Sequence, residues 1–370
     1  MKIILGEEVV ISRAPEGIKD WGPWQFPFIY KCRGNLYVEF NVANDSAKDY
    51  ALPKKRYVST DEGQSWAESS DFCGLELESG AIIRYHIKPP LPEEEAVLPE
   101  KIGSVINYGL ELKLYDMATV DAQYRKWYLD RYNPLTETIS TEEIEVSIPD
   151  GAVWVAEGVL PPNILWSFQH GFNQTIWAPI YRIGNRLDYF DALFLRSDDE
   201  GRSFETVGRV LYEPPYPGDP NSSERIGFTE PSIQFLDERN GFSILRVTDG
   251  IGIGPAYISY TKDGGESWSR PGYFDDCGVC PRSVLLENGV ALAGYGRPGL
   301  YIRPYLDGKW FDRVTVVDPA ACQTETCSYC AMEPIGPDTA LIVYSGFQYP
   351  DENGVRRKTI LCRKVRTKSA

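Results

Sequence analysis

The chain has 370 residues; that length suits two ordinary domains, but all-β and repeat folds pack as much into one. A net charge of −15 repels nucleic acid and anionic membrane alike, and excludes both as partners. An anionic ligand can bind such a chain only where arginines are concentrated locally. Aromatics make up 13% of the residues, with 23 tyrosines, a usage that favours strands over helices. The opening MKIILGEEVVIS has too short an apolar run for a signal peptide, and no stretch is long enough to span a membrane. Eight cysteines without a secretory signal then predict reduced thiols and a cytoplasmic protein.

In chain order, KIILGEEVVIS predicts a strand that completes the last sheet. FPFIYKC, NLYVEFNV and KRYVST are three more strands, and they run into the octet STDEGQSW (59–66). Residues 73–128 have strand character but no octet, and within them KPPLPEEEAVLPEK (88–101) reads as an exposed Pro- and Glu-rich loop. YRKWYLDRYNPLTETISTEE (124–143) is expected to hold a short helix or a long crossing. TIWAPIYRI and DYFDALFLRS lead to a second octet, SDDEGRSF (197–204). PSIQFL, GFSILRV and AYISYT lead to a third, TKDGGESW (261–268). RSVLLENGVALAGYG and LYIRPYLDGKW follow, with LDGKW (306–310) as a decayed fourth copy; YCAMEPIGPDTALIVYSG and KTILCRKV close the chain.

The octet reads Ser/Thr-x-Asp-x-Gly-x-Ser-Trp/Phe. Its Asp accepts hydrogen bonds from turn N–H groups, its Gly takes a positive φ, and its aromatic plugs the space between strands. The aspartates Asp61, Asp199 and Asp263 stand roughly two units and one unit of a repeat apart. Such self-similarity between β-rich segments predicts an all-β propeller: six blades of four antiparallel strands, residues 1–370 forming one domain closed by the N-terminal strand.

With these octets the sequence resembles the sialidase superfamily, whose six-bladed propellers carry the same turn as the Asp box, also called the BNR repeat. The resemblance covers nearly the whole chain. Tyr329-Cys330-Ala331-Met332-Glu333-Pro334-Ile335, running on to Tyr344, is similar to the segment that carries the family's nucleophilic tyrosine. A neutral phenol suits an anomeric carbon that bears a carboxylate, because a carboxylate nucleophile would be repelled; with a free pKa near 10 it needs a base beside it. In TEPSIQFLDERNGFSILR the resemblance implies Glu230 as that base and Arg246 as a carboxylate-binding arginine. It implies Arg297 as a second, with Arg303 the fallback. The third position departs from the pattern: the family's Arg-Ile-Pro is here Gln25-Phe26-Pro27, and Arg282 is the candidate to compensate. The general acid falls on the loop before the first octet, at Asp45 or Asp49.

Other constellations bear on the same residues. Cys277-Gly278-Val279-Cys280 and Cys327-Ser328-Tyr329-Cys330 could converge on zinc, or fill a narrow channel as buried thiols; no metal or cofactor is required by the main reading. His86 lies in an alternating strand, whereas His170 precedes an inner strand as a substrate contact. Trp21 and Trp24 either stack on sugar or plug blades. The expectation is a retaining, sialidase-like exo-glycosidase acting on a terminal acidic sugar. Its rivals are a glycan-binding propeller without catalysis and a uronate-acting hydrolase or lyase with His170 or a tyrosine as base.

Overall fold

The computed structural model describes residues 1–368 except 149, 185, 186, 188, 250, 251 and 320–325. The described chain consists of β-strands and three short 3-10 turns, and no helix among the described residues is long and apolar enough to cross a membrane. Its strands form antiparallel meanders of chain neighbours, as short connections and alternating residues dictate. Gln25–Cys32, Asn35–Asn41, Lys55–Ser59 and Ala67–Glu68 make the first. Gly227–Phe235, Gly241–Thr248, Ala256–Thr261 and Gly272–Asp275 follow one another later in the chain. Cys330–Gly336, Thr339–Pro350 and Arg356–Lys368 make the last. The opening segment joins that last sheet as expected, with Lys2–Leu5 and Val9–Arg13 paired in turn along Arg356–Lys368.

The meanders pack face to face. Ile29, Val38 and Phe40 of the first bury against Leu341, Val343 and Ile360 of the last. Leu292 and Ile302 pack on the other face of that last sheet, against Ile342 and Leu361. Phe242 and Ile244 pack on Ala291 and Ala293, and Phe194 packs with Ile233 and Leu245. A strand caught between two such faces has no solvent side, and Gly241–Thr248 is buried at every residue. The first strands of neighbouring meanders also touch: Ile176–Ile183 meets Gly227–Phe235, which meets Val279–Leu285, which meets Cys330–Gly336, which meets Gln25–Cys32. This is the arrangement that brings residues from remote parts of the chain to one place.

The three octets fold alike. Asp61 Oδ1 accepts from Gln64 N at 3.0 Å and Ser65 N at 2.9 Å, while Ser65 Oγ donates to Oδ2 at 2.6 Å. Asp199 binds Arg202 N, Ser203 N and Ser203 Oγ in the same way, and Asp263 binds Ser267 N and Ser267 Oγ. Gly63 takes φ +83°, and a Cβ there would lie 2.8 Å from Leu341 Cδ2, so the turn admits only glycine. The terminal aromatic Phe204 is buried, and Trp268 packs on Phe194 with ring centroids 4.3 Å apart. LDGKW departs from this pattern. It is a two-residue hairpin turn with Asp307 and Gly308 both at positive φ, and it has no serine to complete the aspartate's bonds.

The octet bonds hold only while the aspartates are ionised. The Ser65 hydroxyl and backbone hold Asp61 down to about 2, and the same bonds lower Asp199, against opposing burial, and Asp263. A depressed carboxylate contributes stability above its unfolded pKa and loses it as pH falls through the folded one. The thermal midpoint should therefore drop between about pH 4 and pH 2. Replacing Asp61, Asp199 and Asp263 together by Asn should flatten that slope; an unchanged slope would refute the assignment.

One expectation for the second segment needs correction. The 3-10 turn Ala122–Arg125 overlaps the start of residues 124–143, and the rest is a hairpin of Trp127–Asn133 with Thr138–Ser147. Burial of Trp127, Leu129 and Arg131 has period two, which a helix cannot supply. The Pro- and Glu-rich segment is a loop with no buried residue, and it is tied down at Leu91–Pro92 by pairing with Val159–Leu160.

Candidate active site

Three of the inner strands open with the same local device. Gln25-Phe26-Pro27-Phe28, Thr229-Glu230-Pro231-Ser232 and Val279-Cys280-Pro281-Arg282 each place one residue before a proline. In each, the pairing register slips across the tetrapeptide, and the residue before proline takes a positive φ: 56° at Phe26, 47° at Glu230 and 42° at Cys280. Proline cannot donate to a ladder and disfavours the right-handed region for its predecessor, which suits a bulge at these positions. The bulge turns the residue before proline out of the strand's alternation. Phe26, Glu230 and Cys280 all line one cavity of about 290 Å³ with Tyr329.

The pair implied by the sequence is in contact. The Tyr329 hydroxyl donates to Glu230 Oε1. Glu230 is fixed on its other sides by Arg246 Nη1, 2.8 Å from Oε1, and by Cys280 N, 2.9 Å from Oε2. The Tyr329 ring meets Phe26 edge-on at 4.7 Å. Burial opposes ionisation of Glu230, but Arg246 and the Tyr329 hydroxyl outweigh it and hold the carboxyl below its ordinary range. Burial and the Glu230 charge together push the Tyr329 phenol well up, against Arg246. At rest the pair is therefore a neutral phenol beside a carboxylate.

Asp45 and Asp49 both line the cavity. Asp45 Oδ2 accepts from the Trp21 indole at 3.1 Å. Asp45 is exposed at the cavity mouth, yet desolvation by the surrounding walls raises its pKa; Trp21 opposes the rise, Glu230 and Glu157 add to it, and Arg297 opposes it. Trp21 also lies under the Arg297 guanidinium, 5.2 Å from ring centre to Cζ, whereas Trp24 is buried and donates to Ser12. One tryptophan therefore belongs to the site and the other plugs the core.

The arginines divide. Arg246 is 2% exposed and lies behind Glu230, with Nη2 reaching the Tyr108 hydroxyl. Arg297 donates to Cys327 O at 2.7 Å and stacks near Tyr329 at 5.9 Å. Arg282 lies on the cavity wall over Phe28 and donates only to the carbonyl of Pro281, with no carboxylate paired to it among the described residues. Arg303 is elsewhere, bound to Phe311 O, Phe274 O and Asp275, and is not a fallback for Arg297. Gln25 is fully buried and off the cavity wall, because the bulge presents Phe26 in its place. His170 lines a second cavity with Glu333 and not the one that holds Tyr329. His86 pairs with Asp130 at 2.9 Å.

The zinc alternative fails on geometry. The one metal-sized cluster among the described residues is Asp275, Asp276 and Cys277, and Arg313 already donates to both aspartates. The seven described cysteines are buried and unpaired, and burial pushes Cys330 up to about 12. Their burial suits packing thiols.

Two contributors escaped the sequence reading. Tyr108 stands in the turn between Gly103–Asn107 and Leu110–Asp116, a hairpin that carries its phenol onto Arg246. Arg182, on Ile176–Ile183, lines the cavity from another side. The Tyr-Gly turn marks a hairpin in the sequence, but nothing local says where its tip lands.

Strands of this order around such a cavity define an all-β, propeller-like fold. No family model matches the sequence, and no curated protein does. Solved structures do match. A protein of unknown function from Dyadobacter fermentans is 16% identical over 99% of both chains, with a TM-score of 0.69. An alpha-L-arabinanase of Penicillium chrysogenum, complexed with arabinobiose, is 16% identical over 97% of this chain and 98% of its own, with a TM-score of 0.54. The Hadza microbial sialidase Hz136 is 15% identical over 91% of this chain and 65% of its own, with a TM-score of 0.53. At these identities the likeness is one of fold.

Proposed function

We propose that the protein is a retaining exo-glycoside hydrolase of acidic sugars, built as a single six-bladed propeller with sialidase-like Asp-box turns. One observation carries this reading: a buried phenol donating to a carboxylate that an arginine and a backbone N–H hold in place. As Tyr329 Oη forms its bond to the anomeric carbon, its proton passes to Glu230. The bond to the leaving oxygen breaks, and that oxygen takes the proton of Asp45. Water then attacks the glycosyl–tyrosine with Asp45 as base, and Glu230 returns the proton to the phenolate oxygen. Arg246 keeps Glu230 ionised, and Arg282 and Arg297 supply positive charge for the sugar's acidic group. Asp45 is chosen over Asp49 because its carboxylate adjoins Trp21 and feels Glu230 and Arg297.

A raised pKa suits an acid that must be protonated at working pH. Turnover should therefore fall at high pH as Asp45 loses its proton, and at low pH as Glu230 gains one. Aryl glycosides of sialic and uronic acids, whose good leaving group needs little protonation, provide the test. Asp45→Asn should remove the alkaline limb of kcat/KM and spare activated aryl substrates far more than alkyl ones. An unaltered alkaline limb would transfer the role to another group. Release of an unsaturated product absorbing in the near ultraviolet would replace hydrolysis by elimination.

A further inference from the structure

Arg182 is half-buried and, like Arg282 on the same cavity wall, differs from most inward-facing arginines in its partners. Arg225 pairs with Asp219 and Asp249, Arg56 and Arg84 with Glu39, Arg131 with Glu142, and Arg246 with Glu230. Arg182 meets two neutral groups: Nη2 donates to Asn163 Oδ1 at 2.6 Å, and Nη1 lies against the Met117 thioether. No carboxylate among the described residues pairs with it, and burial alone drives its pKa down to about 10. A half-buried guanidinium without a counter-charge is incompletely compensated for its lost hydration until a partner arrives. A guanidinium carries five donors, and these two acceptors engage few of them.

The group is held ready. Asn163 is fixed by donating Nδ2 to Tyr124 O at 2.8 Å, which aims its carbonyl at Arg182. The guanidinium lies over the Trp127 ring, 5.4 Å from its centre. Both it and Trp127 face the cavity that holds Tyr329 and Glu230. The direction within that cavity follows from the acid. A general acid stands beside the leaving oxygen, so the leaving group lies on the Asp45 side. There Tyr50, on the same loop as Asp45, packs edge-on against Trp166 at 5.5 Å, and Trp166 belongs to the same wall segment as Asn163.

We infer that Arg182, backed by Trp127 and Asn163, is a subsite for a second anion, a carboxylate or sulfate on the unit beyond the bond that is cut. The substrate class is then an acidic glycan charged on both sides of that bond. This direction rests on the hydrolase reading; the anion site itself does not.

The test separates the two. Thermal unfolding is followed in graded sodium sulfate against sodium chloride of equal ionic strength, for the wild type, Arg182→Gln and Tyr329→Phe. Sulfate should give a saturable rise in the wild type and in Tyr329→Phe, and Arg182→Gln should need at least tenfold more sulfate. The same curve for wild type and Arg182→Gln would overturn the site. Wild-type crystals soaked in selenate decide the matter even if the variant does not fold. An anomalous peak at Arg182 is expected. A peak confined to Arg282 and Arg297 would leave the hydrolase reading standing and sink this one, and an adventitious ion only, away from both, would sink it too.

Discussion

Tyr329→Phe is expected to lower kcat by on the order of 10³-fold or more while the protein stays folded. On the proposed mechanism the variant loses the oxygen that bonds the anomeric carbon. Its ring keeps the edge contact with Phe26, and Glu230 keeps Arg246 and the Cys280 amide as partners. The stability change is thus confined to one charge-assisted hydrogen bond, about 1.5–3 kcal/mol. Turnover is to be read with activated aryl glycosides and folding by thermal melting of the same samples. A variant that melts normally and turns over at the wild-type rate would remove Tyr329 from the chemistry.

Glu230→Leu should cost about 3–5 kcal/mol of folding stability, because it strands the Arg246 guanidinium without a counter-charge. Arg246 is 2% exposed, its Nε already lacks a partner among the described residues, and Tyr108 offers only a neutral hydroxyl. Arg246→Met should cost a similar amount for the opposite reason. Removing both charges together should restore much of the loss, since two apolar side chains of similar volume replace a buried pair at little cost. Denaturant unfolding of the four proteins closes this cycle. Strictly additive losses would mean that the two charges do not depend on each other. The pair also has a pH signature. Glu230 is depressed, so its contribution is present above the unfolded carboxylate pKa and is lost as pH falls through the lower, folded value. The double variant should lack that part of the acid loss.

Much of this site could be read from the sequence. Tyr329, Glu230 and Arg246 were implied by short segments similar to a known family, and the structure brings all three into contact. Asp45 and Asp49 both reach the cavity, and their environments separate them. The failures share one cause. Gln25 stands where the resemblance implies an arginine, but a bulge at Phe26-Pro27 turns Phe26 to the cavity in its place, and one residue of slip exchanges inside for outside. Arg303 and His170 lie at plausible offsets from strand starts, yet one is spent on Asp275 and two carbonyls and the other faces a different cavity.

The sequence by itself determined what is local: the alternating strands and the three aspartate turns with their glycines. These follow from steric limits and hydrogen bonds within a few residues of chain. Only the tertiary structure decided which side chains meet. Tyr108 on Arg246, Arg182 without a carboxylate among the described residues and four arginines spread over separate duties all depend on where sheets from remote segments come to rest. Contact across the molecule is fixed by how apolar faces pack, and no spacing along the chain encodes it.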